Sequence, residues 1–434
     1  MPLIGFDPSE SCDTETLNER RKWWLSMRGW FADRGYNLYL RQPVDEGYMP
    51  MCYPPLPFTG SDTSEEAPFP YAFRGRHSLE CGEGETYLSS TEPETAAVWY
   101  AQDAETRLVA IKIVKKDTDE YRIIHLIHEK QSSSLPLHGI VPVLDILDSG
   151  DFYFAIMPKW SIPFMCDCWF PSTREALGMI HCLLKACPSL RTMCQIITDV
   201  FRVSSGFMNE KLFTECDFKQ GNTLVNFAYG DHWTRCPSDE GLQRFFCRRG
   251  MLTYGYIDYN IAVMFPRSAS LSECRLPYWK SWDGTNNWWL YDTAQGEHDY
   301  DPFAFDVALL GFHLSESSLQ HLPPYAPFVA PLLDMMVHQD AKKRFTAREA
   351  LQFFDDMYPQ LSEAELELAP PQGWNLSHLY ETFDRWQDLP LDFVQRYRWV
   401  HYVVVRVRRF HSGFTFGTLF PVGMLFGAIT IYSS

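Results

Sequence analysis

Apolar and polar positions alternate along this chain at two different periods, and the change from one to the other divides it. From Tyr87 to Val114, short runs rich in Val, Ile and Tyr (AAVWYAQD, RLVAIKIV) are separated by turn residues, the pattern of antiparallel strands. Between Asp119 and Glu129 the apolar residues Ile123, Ile124, Leu126 and Ile127 group at helical spacing. Gly139 to Leu147 and Phe152 to Met157 then return to strand character. Beyond Pro171 the helical period dominates, over Thr173–Ala186, Leu190–Val203, Phe303–Glu316, Pro327–His338 and Thr346–Met357. The pattern predicts an α+β chain with two lobes: a small antiparallel-sheet N-lobe and a larger, mainly helical C-lobe. No internal repeat interrupts it.

Outside this core the texture changes twice. Residues 1–75 read as an N-terminal extension, with an aromatic and charged stretch (Trp23, Trp24, Trp30, Phe31, Tyr36) that predicts a short docked helix, followed by a Pro-rich acidic loop from Pro50 to Pro70. The main domain is expected over 76–358, with the lobes meeting near 157 and 158. A helical extension is expected over 359–409 and an apolar tail over 410–434. From Phe414 to Tyr432 no residue is charged, and Arg406, Arg408 and Arg409 precede the stretch. Two readings fit: a membrane-spanning helix with its positive flank on the cytoplasmic side, or an apolar hairpin packed on the domain, which the glycines and Pro421 favour.

Composition narrows the function classes. Hydrophobic residues make up 46% and aromatic residues 15% of the 434, enough for a large globular core. A formal charge of -17 would repel a phosphate backbone, so no nucleic-acid partner is expected. The 12 cysteines form no CxxC pair, Cys166 and Cys168 coming nearest, so neither zinc nor a disulfide framework is expected. The N-terminus shows no basic segment followed by an apolar run, so a reducing, cytoplasmic compartment is expected for the bulk of the chain.

Phosphoryl transfer from a nucleotide needs a cation on the phosphates, a metal held by carboxylate and amide oxygens, and a base for the acceptor hydroxyl. Such residues occur here in order. Lys112 ends the apolar strand V109-A-I-K112, and Glu120 follows on a helix whose Ile124 and Ile127 share its inward face. Asp217, Lys219 and Asn222 stand in D217-F-K219-Q-G-N222, just before the apolar T223-L-V-N-F. Asp258 stands in D258-Y-N260 after the apolar Y254-G-Y-I.

These motifs resemble the protein-kinase family. More narrowly, WFADRGYNLYLRQP, D301-P-F-A-F-D306-V and A341-K-K-R-F-T-A resemble kinase-like proteins of basidiomycete fungi, the likeness spanning about Trp23 to Phe410. The resemblance implies ATP and Mg²⁺ as cofactors and a protein substrate. It makes Asp217 the catalytic base and Lys219 the lysine that steadies the transferred phosphoryl. Lys112, oriented by Glu120, would contact the α- and β-phosphates. Met157 and Lys159 would contact the nucleotide, while Asn222 and Asp258 would hold the metal. Asp306, Arg344 and Arg344's partner Glu297 would be structural.

Several positions depart from the family. Where its phosphate loop carries G-x-G-x-x-G before a valine, Thr91, Pro93 and Ala96 precede Val98, with Glu92 and Glu94 between them. Pro93 has no N–H to donate, and the carboxylates repel phosphate. Glu215 and Cys216 replace the His-Arg before the base, which removes the arginine that would dock a phosphorylated loop. Asn260 replaces the glycine after the metal-binding aspartate and is expected to take left-handed backbone angles. The long insert between Asn222 and Asp258, with Arg244, Arg248 and Arg249, reads as a surface loop or a basic docking patch. Three functions follow: a kinase for protein Ser or Thr, a pseudokinase scaffold, and a small-molecule kinase, against which Lys219 speaks.

Overall fold

The computed structural model describes residues 4–6, 8, 13–41, 51–57, 69–74, 90–91, 96–129, 139–162, 170–200, 211–214, 220–228, 237–266, 269–270, 272–282, 298–316, 318–370 and 384–400. Two helices open the chain, α1 (Thr14–Ser26) and α2 (Arg28–Ala32). The Asp13 side chain caps α1 by accepting from the Thr16 N–H at 2.8 Å. Then come the strands β1 (Asn37–Leu38), β2 (Val98–Gln102) and β3 (Leu108–Lys115), helix α3 (Asp119–Glu129), and strands β4 (Asp145–Ser149) and β5 (Phe152–Pro158). The five strands form one antiparallel sheet in the order β1-β2-β3-β5-β4.

The sheet's two faces follow from the period of two in β3. Val109, Ile111 and Ile113 point to one side and pack with Trp24, Phe31, Trp99 and Phe154, so α1 and α2 cover that face. The Trp24 indole stacks between Phe31 and Trp99 and donates to the Ala96 carbonyl at 2.9 Å. The docked N-terminal helix expected from the aromatic stretch is present, and β1 makes this segment part of the sheet itself. Val114, on the other side of β3, joins Ile123, Ile124 and Ile127 of α3 in the main core.

The helix-rich part contains α4 (Thr173–Val200), then β6 (Lys211–Thr214), β7 (Thr223–Val225), α5 (Pro237–Arg248), β8 (Tyr254–Tyr256) and β9 (Val263–Pro266). Helices α6 (Pro302–Glu316), α7 (Val329–Met336), α8 (Ala347–Met357) and α9 (Leu391–Arg396) complete it. A capping box between Thr346 and Glu349 starts α8 where the sequence predicts. At Gly311 a Cβ would lie 2.7 Å from that of Met336, so α6 and α7 meet at a distance only glycine allows. The chain is thus α+β, with a sheet-rich part followed by a helix-rich one.

Three expectations are corrected. Thr173–Ala186 and the described part of Leu190–Val203 belong to one 28-residue helix, Thr173–Val200, that runs through Pro188, which forfeits a hydrogen bond without ending it. Of the strand expected over Gly139–Leu147 only Asp145 onward joins the sheet. The earlier residues turn to β8 instead, Val141 N–H donating to the Tyr256 carbonyl and Tyr256 N–H to that of Gly139. The insert after Asn222 holds α5 rather than a surface loop: Phe246 is buried and stacks on Phe73, ring centroids 4.2 Å apart. Phe73–Arg74 also pairs, in parallel, with Phe227–Ala228, so the N-terminal segment reaches the helix-rich part as well as the sheet.

Candidate nucleotide and metal site

Two carboxylates converge on Lys112, one eight residues away in sequence and the other 146. It faces away from α1 on β3, because it alternates with Ile111 and Ile113. Its ammonium bonds to the Glu120 carboxylate in the first turn of α3 and, at 2.6 Å, to Asp258 Oδ1 just after β8. The side chains of Lys112 and Glu120 are 11% and 12% exposed, and that of Asp258 is 30% exposed. Burial works against the Lys112 charge, but Asp258 and Glu120 outweigh it and raise its pKa above the ordinary lysine value.

Asn222 is placed beside Asp258 by a hairpin. Thr223 pairs with Tyr256 across β7 and β8, and the Ile257 N–H donates to the Asn222 carbonyl at 3.0 Å. Asn222 itself is 4% exposed. Asp258 has φ of 72°, a left-handed angle that costs a non-glycine residue energy. The expected left-handed residue was Asn260; the turn falls on Asp258 instead, which swings its carboxylate to Lys112. The Asp119 carboxylate accepts from the Met264 N–H at 3.1 Å and ties the start of α3, with Glu120, to β9. Sequence reasoning missed Asp119, whose only signal is that it stands beside Glu120.

At the end of β5, Met157 lies opposite Ala110 on β3. Lys159 is buried; its ammonium lies 4.8 Å from the Tyr100 ring centroid. Of the positions expected to shape the phosphate loop, Thr91 and Ala96 are described, and Thr91 pairs with Met51. Ala96 is buried with φ of 49°, so it adopts a backbone angle that glycine would take freely, while Glu92, Pro93 and Glu94 lie outside the described residues. Asp217, Lys219 and Glu297 also lie outside them. Asp306 is buried on α6, and Arg344 donates to the Ala304 carbonyl at 2.7 Å and to that of His338 at 2.8 Å, clamping the start of α6.

Among the described residues no group of three or more His, Cys, Asp and Glu side chains could hold a metal. Magnesium does not require one, since it takes one or two carboxylates and leaves its other positions to phosphates and water. The oxygen-bearing pair Asn222 and Asp258, with a lysine beside it for phosphate, fits Mg²⁺ and a polyphosphate. Among the described residues Cys52, Cys182, Cys247 and Cys274 are in no disulfide. No protein-family model matches the chain, and no curated protein sequence matches it.

Proposed function

We propose that this chain is a phosphotransferase of the protein-kinase type, using ATP and Mg²⁺ and transferring the γ-phosphoryl to Ser or Thr hydroxyls of proteins. The observation that carries the reading is the convergence of Glu120 and Asp258 on Lys112. In such enzymes a strand lysine must pair with a helix glutamate while a nearby aspartate holds metal, and here one ammonium bridges both carboxylates. The two-lobed, kinase-like architecture belongs to the same proposal, supported by the sheet order and by α3 lying between β3 and β4.

Bound between Asn222 and Asp258, Mg²⁺ would neutralise phosphate charge. Lys112 would hold the α- and β-phosphates, with Glu120 fixing its direction. Asp217 would accept the proton of the acceptor hydroxyl, and Lys219 would steady the transferred group. A pseudokinase reading is favoured by one sequence feature: Thr91, Pro93 and Ala96 replace the loop glycines, with Glu92 and Glu94 between them. Melting with and without Mg-ATP separates the cases. We expect a stabilising shift that Asp258→Ala abolishes; no shift in the intact protein sinks nucleotide binding. Transfer of labelled phosphate to a generic protein substrate, lost in Asp217→Ala, would distinguish enzyme from scaffold.

The cytoplasm is the proposed compartment. Among the described residues no helix is long and apolar enough to cross a membrane, and the tail from Phe414 to Tyr432 lies outside them. Comparing a fluorescent fusion with one lacking 410–434 separates a tether from a packed hairpin: an unchanged diffuse signal excludes the tether.

A further inference from the structure

The segment Pro158–Ser161 carries the chain from β5 into the helix-rich part, where Ser161 pairs with Val225, and a nucleotide held at Lys112 would meet it as a backbone edge. Lys112 and Ala110 share one face of β3, about 7 Å apart at the rise of a strand, and Met157 lies opposite Ala110 on β5. Met157 packs in the same cluster as Tyr100, Leu224 and Ile257. A base joined to a triphosphate held at Lys112 therefore meets apolar side chains on both sides. Only its edge, turned to Pro158–Ser161, could be read by hydrogen bonds.

That edge has no N–H to give. Pro158 carries none. Lys159 N–H donates to the Leu108 carbonyl at 3.0 Å, Trp160 N–H to that of Pro158 at 3.0 Å, and Ser161 N–H to that of Val225 at 3.2 Å. The Lys159 ammonium lies over the Tyr100 ring. Carbonyl oxygens have two lone pairs, so Pro158 can still accept a hydrogen bond. Adenine offers an amino donor to such an oxygen, and guanine and cytosine offer N–H donors as well. Adenine's ring acceptor, which would need a backbone N–H, finds no partner here. Sites discriminate strongly only where a buried polar group would be left unpaired by the wrong ligand; apolar walls do not.

We propose that the cleft takes Mg-nucleoside triphosphates through the phosphates and an apolar slot, without selecting the base. This rests on the phosphotransferase reading and deepens it. The test is calorimetric titration of the full chain with Mg-ATP, Mg-GTP and Mg-tripolyphosphate, repeated on Leu224→Trp, which fills the slot. The expected result is binding of ATP and GTP within about threefold of each other, less than the roughly tenfold that one net hydrogen bond supplies. Leu224→Trp should weaken both nucleotides and leave tripolyphosphate binding as it was. A tenfold or greater preference for ATP overturns base indifference while the phosphotransferase reading stands. A Leu224→Trp protein that binds both nucleotides as tightly as before overturns the apolar slot, again with the phosphotransferase reading left standing. Failure of all three ligands to bind overturns the phosphotransferase reading and this inference with it.

Discussion

Lys112, Glu120 and Asp258 form one buried charge cluster and Arg385 with Asp334 another, and the two differ in what surrounds them. In the second, Arg385 Nε lies 3.5 Å from Asp334 Oδ1, both side chains being 1% exposed. The Trp386 indole donates to Asp334 Oδ2 at 2.6 Å, and Arg385 Nη1 donates to the Ser315 hydroxyl at 3.2 Å. These bonds fasten the segment around Arg385, and with it α9, onto α6 and α7. In the first cluster two carboxylates share one cation, and Asp258 keeps a solvent-facing side. A sealed pair serves as a staple because nothing can compete for its charges. An open cluster with a spare carboxylate can trade a partner for a ligand, the property a phosphate and metal site requires.

The largest effect expected from this contrast is on the sealed pair. Asp334→Ala leaves a buried guanidinium without its carboxylate and should cost about 3–5 kcal/mol of stability. Asp258→Ala should cost clearly less, since Lys112 keeps Glu120, yet abolish the Mg-ATP shift. Equal losses of stability in urea titrations of the two variants would remove the distinction.

His313, near the staple on α6, extends the contrast to protons. It is buried, its Nε2 has no hydrogen-bond partner, and burial pushes its pKa down from 6.5 to about 4. Below pH 6.5 the unfolded chain takes up a proton that the folded chain refuses until about pH 4. The stability associated with a neutral His313 is therefore full above pH 6.5 and lost as pH falls toward 4, about 3 kcal/mol in all. Urea titrations at pH 7 and pH 5 should show about 2 kcal/mol of this loss in the intact protein and a smaller one in His313→Leu. The same slope in both would assign the acid sensitivity elsewhere.

The smallest effect belongs to the open cluster. Glu120→Gln keeps a hydrogen-bond acceptor for Lys112 and leaves Asp258 as its counter-charge, so a cost of roughly 1 kcal/mol is expected. A loss as large as that of Asp334→Ala would mean that the three-residue cluster has no spare partner.

The site was more legible in the sequence than the parts that hold it. VAIK at the end of an alternating strand and Glu120 ahead of Ile124 and Ile127 are local patterns, and the structure brings Lys112 and Glu120 together. Asp258 is less legible: a lone Asp after a strand is usually a turn residue, and only the left-handed turn beside Asn222 carries it to Lys112. Asp217 and Lys219 are known from sequence alone. The packed insert was illegible because Phe246 finds Phe73, which lies far away along the chain.

What the sequence determined by itself was therefore what depends on neighbours in the chain: the periods that make strands and helices, the Thr346 cap, the face of α3, and the residue types a phosphate site needs. The tertiary structure alone decided how those pieces close. It ran α4 through Pro188, turned Gly139–Val141 toward Tyr256, and spent the N–H groups of Lys159, Trp160 and Ser161 within the fold. Each of these outcomes depends on a partner supplied from a distant segment or on packing along a whole element, and a pattern of period two or 3.6 has no means of naming that partner.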